Sequence, residues 1–336
     1  MDKRPTIRDV AKLASVSVTA VSQILNGKGE RFSQETRTKV VQARDQLGYQ
    51  ADYYARGLVG QRGNSLGIVI PDIMNPFFAS LVVAVQSAAI PQGYYPEVFS
   101  VNGFSENIDH FIDQFGAGSQ KGLILAAPGA SHQIVEALAV HEKLPMVFTD
   151  QAEALGRGDT VGIDEVAAGN MIATHLLEQG HRRIAIVLPP HLTGNLVKRF
   201  TGYQEAFSNH SVLLDPELVF HCEFSPAGGL MAAEKIVDTD ATAVIAVNDD
   251  VAMGVYRGLL ANNKRIPEDY SVVGFDDISM AQFLTPSLTT IAQPVEAIGE
   301  EIVNLMLQRM REPERPYQEI QLPVRMVFRE STTKTK

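Results

Sequence analysis

From residue 66 the chain alternates short apolar runs with helical stretches, and this alternation constrains the fold more than any other feature. Leu66–Ile70, Glu97–Val101, Gly122–Leu125, Met146–Thr149, Ile184–Leu188, Ala243–Val247 and Val272–Phe275 read as buried strands. Repeated βα units of this kind demand parallel sheets with helices over both faces. Four of the runs end alike. Asp72 follows the first and Asp150 the fourth, Asn248-Asp249 follow Ala243–Val247, and Asp276-Asp277 follow Val272–Phe275. Each alone suits a helix N-cap. Together, beyond the carboxyl ends of open α/β strands, they predict a shared cleft rich in acceptors and suited to a polyhydroxyl ligand.

The first fifty residues follow a different rule. Thr6 can cap a helix, with Asp9 in capping-box position and Ile7, Val10, Ala11 and Ala14 on one face. Ser17 can cap a second short helix that buries Ala20, Val21 and Ile24, and Asn26-Gly27 stops it. Ser33 opens a third, running to Leu47-Gly48 with Val40, Ala43 and Leu47 inward. Two short helices joined by a tight turn make a helix-turn-helix, whose second helix offers Val18, Thr19, Ser22 and Gln23 to base edges in a major groove.

Charge supports that division. The whole 336-residue chain carries −10, which alone argues against nucleic acid. Residues 1–60, however, hold ten Lys/Arg and six Asp/Glu, a net of +4, leaving −14 on the rest.

At this point a family is legible. Thr6-Ile7-Arg8-Asp9-Val10-Ala11-Lys12-Leu13-Ala14, Val16-Ser17-Val18, Val21-Ser22, Leu25-Asn26-Gly27-Lys28, Ser33-Gln34-Glu35-Thr36-Arg37 and Leu47-Gly48-Tyr49 resemble the LacI/GalR family of bacterial repressors. The resemblance implies a helix-turn-helix domain at 1–50, a hinge helix and linker at 51–64, and an effector-binding and dimerisation domain at 65–336. It adds Thr6, Ser17, Asn26 and Tyr49 to the DNA contacts, and Leu58 as a wedge in the minor groove at the operator centre. The hinge segment 51–58 is a poor isolated helix, about two turns long and containing Gly57, which suits an element ordered only by DNA and a partner.

Two departures stand out. Ser15 occupies a turn position where the family usually has Gly, so a positive φ there is strained. Gln23 stands where Arg is frequent, and glutamine favours adenine where arginine favours guanine.

For the larger domain the resemblance implies a doubly wound, two-lobed periplasmic-binding-protein fold. One lobe would take about 66–162 and 290–322, the other about 163–289 and 323–330. Carried over by local motif, the effector site comprises Asn75, Phe77 and Phe78, then Asp150 and Arg199, then Phe224, Asn248, Asp276 and Gln293. This set is similar to that of ribose-binding periplasmic proteins, except that Gln151 replaces an arginine and removes a cationic donor. A ribose-like pentose is the expected effector, with pseudo-palindromic operator DNA and a second copy of the chain as partners.

Other classes lack their signatures. Gly116–Gly122 precedes a strand and lacks the Gly-Lys-Ser/Thr order of a phosphate loop, and no Gly-x-Ser-x-Gly elbow occurs. A cytoplasmic sugar-processing enzyme on a doubly wound fold would need such a fingerprint. Cys222 is the lone cysteine and no zinc spacing is present, so no metal or cofactor is expected. The longest largely apolar stretch, Phe77–Val85, falls well short of the roughly 20 residues that span a bilayer. With no secretion signal, the expected location is cytoplasmic. A catabolite-control-type regulator, with a phosphorylated carrier protein as corepressor, is the alternative within the family.

Overall fold

The computed structural model describes residues 5–25, 29–49, 64–101, 120–127, 144–150 and 156–335. The chain divides into two compact units, Met1–Gly63 and Asn64–Lys336.

Among its described residues the first unit has three helices: α1 (Ile7–Leu13), α2 (Val18–Leu25) and α3 (Gln34–Leu47). Each begins where a small polar side chain meets free amides. The Thr6 amide and hydroxyl both donate to Asp9 Oδ2, at 2.8 and 2.7 Å. Ser17 Oγ accepts from the Ala20 amide at 3.1 Å, and Ser33 Oγ from the Thr36 amide at 3.2 Å. The third helix closes on Gly48 at φ 63°, a left-handed C-cap natural to glycine. Val10, Val21 and Val40, one from each helix, are fully buried and form the centre of a small core. Ser15 takes φ 54° in the turn between α1 and α2, the strained conformation expected of a non-glycine residue there.

The second unit contains a six-stranded parallel sheet, a four-stranded parallel sheet and an antiparallel pair. The six-stranded sheet has β1 (Ser65–Ile70), β2 (Tyr95–Ser100), β3 (Gln120–Leu125), β4 (Met146–Thr149), β5 (Asp159–Ile163) and β11 (Glu319–Leu322), in the order β11-β5-β4-β3-β1-β2. The four-stranded sheet runs β7-β6-β8-β9, with β6 (Ile184–Leu188), β7 (Val219–His221), β8 (Ala243–Ala246) and β9 (Ser271–Val273). The pair joins β10 (Thr290–Ala292) to β12 (Arg325–Val327) where the chain passes between the two larger sheets.

Helices pack in pairs: α4 (Pro76–Ala89) with α9 (Val295–Arg311), α5 (Glu165–Glu178) with α6 (Gly194–Asn209), and α7 (Pro226–Ile236) with α8 (Asp249–Ala261). The middle pair meets backbone to backbone. A Cβ on Gly169 would overlap the Arg199 carbonyl, and one on Gly202 would overlap that of Val166.

One strand expectation needs correction. Residues 97–101 do not form a buried strand, because β2 is the sheet edge and is largely exposed. Strands β7, β10, β11 and β12 were not anticipated, nor was the polar strand β5. It opens on Asp159, a fully buried carboxylate gripped by Arg309 Nε and Nη2 at 3.1 and 3.0 Å and by Arg315 Nη2 at 3.3 Å. Among the described residues no helix is long and apolar enough to cross a membrane, and no cluster of His, Cys, Asp or Glu could hold a metal.

Candidate functional site

A cavity of about 320 Å³ opens beyond the carboxyl ends of β4 and β5, where both lobes contribute side chains. Of the nine residues expected for the effector site, Phe77, Asp150 and Gln293 line this cavity, together with Glu165, Asn195 and Lys198. Asn75 places the aromatic ring. Its Oδ1 accepts from the Phe77 amide at 2.9 Å and starts α4, with Pro76 at the first helical position. Phe78 turns the other way, meeting Phe77 edge-on at 5.2 Å and lying in the core. Asp150 ends β4 with φ 50° and accepts from Asn195 Nδ2 at 3.4 Å.

Behind this wall lies a buried charged layer. Arg199 is only 4 % exposed. Its Nε and Nη2 reach Glu165 Oε2 and Oε1 at 2.8 and 3.3 Å, and its Nη1 donates to the Val247 carbonyl at 2.9 Å. The guanidinium stacks 3.3 Å from the centre of the Phe275 ring. Burial alone would depress the Arg199 pKa, but the Glu165 carboxylate outweighs it and keeps the group charged. Asp276, at φ 107°, accepts from Gln293 Nε2 at 2.8 Å. Burial, with Asp249 nearby, holds the Asp276 carboxyl well above the ordinary carboxylate range.

Asn248 caps α8, its Oδ1 accepting from the Val251 amide at 2.9 Å. Asp249 is fully buried beside it, accepting from Thr290 Oγ1 at 2.6 Å and from the Ile278 amide at 2.9 Å. Burial pushes its carboxyl up to about 7. Asp277 pairs with Arg329 at 2.6 Å, bracing the crossover next to β12. Phe224 lies apart from the cavity lining, 37 % exposed in the loop after β7.

Glu165, Asn195 and Lys198 were not anticipated. Asp164-Glu165 follows β5 just as the other acidic pairs follow their strands, so the signal was present. It went unread because β5 itself did.

In the first unit, α2 presents Val18, 40 % exposed, and an exposed Thr19, with Ser22 and Gln23 half-buried beside them. Gln23 Oε1 accepts from Arg31. Thr6 and Ser17 serve as helix caps, and the Tyr49 ring packs on the three-helix core. Asn26, Leu58 and the hinge segment lie outside the described residues.

Residues 6–52 match the model of the lacI family of bacterial regulatory proteins, and residues 173–332 match a periplasmic binding protein-like domain. Over 333 residues, spanning 98 % of each chain, the protein is 32 % identical to the HTH-type transcriptional regulator DegA of Bacillus subtilis. The chain belongs to the LacI family.

This LacI-family protein is also 31 % identical to the ribose operon repressor of Haemophilus influenzae, over 97 % of its own length and 98 % of that protein's. Among solved structures it is similar to a LacI-family regulator from Enterococcus faecium with bound ribose, at TM-score 0.75 and 32 % identity, covering 81 % of this chain and all of that one. Its relatives are transcriptional regulators, and it is a DNA-binding transcriptional repressor and not an enzyme.

Proposed function

We propose that this repressor controls a sugar-utilisation operon and that a ribose-like pentose, bound between the lobes, is its effector. The observation that carries this reading is the cleft itself. One aromatic face, Phe77, stands beside acceptors and donors from both lobes, Asp150, Asn195 and Gln293, in a space of about 320 Å³. That volume is at the small end of ligand pockets and suits a monosaccharide. Aromatic rings cover the apolar face of a sugar, while carboxylates and amides fork hydrogen bonds to its hydroxyls. A relative named as a ribose operon repressor and a similar structure holding ribose point the same way.

In this reading residues 1–50 bind DNA, 51–64 form the hinge, and 65–336 bind the effector and dimerise in the cytoplasm. Val18, Thr19, Ser22 and Gln23 read base edges, Asn26 and Tyr49 support the docked module, and Leu58 enters the minor groove. Asn75, Arg199, Asn248 and Asp276 orient the cleft, while Phe78 backs Phe77 from the core and Phe224 closes over the ligand from its loop.

A second copy of the chain fits the apolar surface each lobe leaves exposed. Met74, Val83 and Tyr95 stand out on one lobe, and Met231, Met280 and Phe283 on the other. A two-fold dimer meets a pseudo-palindromic operator. Pentose binding shifts the lobes, draws the hinge helices apart and releases DNA.

The test is a pair of titrations with the full-length protein and an operator selected from random duplex DNA. Pentose weakens operator binding, and operator weakens pentose binding by the same factor. Equal pentose affinity with and without operator excludes this route. No response to any pentose or hexose, with operator binding restored by a phosphorylated carrier protein, supports the catabolite-control alternative.

A further inference from the structure

The ion pair behind the cavity wall bears on which sugars the cleft accepts. An arginine beside a sugar pocket is ordinarily a ready site for phosphate or carboxylate, because its fork of donors matches their oxygens. Here that fork is already engaged. Glu165 takes Nε and Nη2, and the Val247 carbonyl takes one hydrogen of Nη1. Of five N–H groups, one on each terminal nitrogen remains, too few and too divergent for a bidentate grip on an anion. The charge is cancelled as well. Both partners of the pair are almost wholly buried, so water screens their attraction little.

The rest of the site leans the same way. Glu165, Asp150 and Glu319 all line the cavity. The opposing cation, Lys198, is exposed at the rim, where solvent screens it.

We propose that Glu165 sets the charge specificity of the cleft. By occupying Arg199, it makes the site one for neutral polyhydroxyl ligands and rejects their phosphorylated and carboxylated counterparts. Arg199 then neutralises Glu165 from behind the wall, and Glu165, which lines the cavity, presents its outer lone pairs to hydroxyl hydrogens. This inference deepens the reading of the cleft as a sugar site, but it concerns anions and is tested separately from any particular sugar.

The probe is inorganic phosphate, added at constant ionic strength against a chloride control, with melting of the full-length protein as the readout. Wild-type protein shows no phosphate-specific shift. Glu165→Gln keeps the size of the side chain but removes its charge, and frees one Arg199 donor. Glu165→Ala frees both. Each variant gains at least about tenfold in phosphate affinity, equivalent to about 1.4 kcal/mol. The double variant Glu165→Gln/Arg199→Met loses the gain, which assigns it to Arg199. If the single variants, folded by circular dichroism, respond to phosphate no more than wild type, the proposal is overturned.

If neither variant folds, the wild-type protein decides. It binds ribose at least about tenfold more tightly than ribose 5-phosphate, and equal or tighter binding of the phosphate ester overturns the proposal. If wild type binds neither sugar, the pentose reading fails and the wild-type response to inorganic phosphate decides this one, a phosphate-specific shift in melting overturning it.

Discussion

On the outward side of α2, Val18 and Thr19 stand exposed while other residues hold the helix, Ala20 and Val21 beneath it and Ser17 at its start. In the cleft, holding and facing are done by the same side chains. Glu165 lines the cavity and grips Arg199, Gln293 lines it and donates to Asp276, and Asn195 lines it and donates to Asp150. Residues with one duty can change specificity without touching stability. Residues with two cannot.

The largest test of this contrast is Arg199→Met. It leaves the Glu165 carboxylate buried without its partner, and the expected loss is about 3–5 kcal/mol of stability, along with the pentose response. Denaturant unfolding measures the first and pentose titration the second. A variant of wild-type stability that merely binds sugar less well would break the contrast.

Next in size is Asp249→Asn. Because the Asp249 carboxyl is raised from about 3.8 to about 7 in the folded state, the native protein binds that proton more tightly than the unfolded chain. Its contribution to stability is therefore present at low pH and falls away as pH rises from about 4 to about 7. Unfolding in urea at pH 5 and pH 8 should show a pH-dependent loss of about 2–3 kcal/mol from this group, which the variant removes. His181, whose burial lowers its pKa, acts in the opposite sense in both proteins and cancels from the difference.

The smallest effect is expected on the reading helix. Gln23→Arg moves the base preference at its operator step from A·T to G·C by about 1–3 kcal/mol, with melting temperature and pentose affinity unchanged. Operator selection followed by binding isotherms checks it. Because Gln23 accepts from Arg31 in the free unit, a destabilised variant would show that this residue, too, has a second duty.

The same contrast explains what could be read in advance. The three helices of the first unit were legible down to Val10, Val21 and Val40, because caps, apolar spacing and polar outer faces fall on different residues. Most of the strands, and the acidic residues that end them, were legible for the same reason. Where one residue serves two masters, pattern fails. Asp159 opens a strand as a buried charge because Arg309, 150 positions later in the chain, satisfies it. Glu165 is buried because Arg199 is, and Arg199 lies 34 positions on. Phe77 and Phe78 are chemically alike, adjacent and both packed into the core, and only the roll of α4 lets one of them, Phe77, also line the cavity. Edge strand β2 is as apolar in parts as the central ones, and its exposure follows from neighbours that no local window contains.

The glycine contacts between α5 and α6 give the cleft a fixed gauge. With carbonyl oxygens seated against Gly169 and Gly202, no side-chain layer separates the helix carrying Glu165 from the helix carrying Arg199. Side chains can rotate to take up slack, whereas two backbones in contact have little, so this wall yields less than one cushioned by side chains. Any hydroxyl laid against this wall meets a surface set by two residues that have no side chains at all.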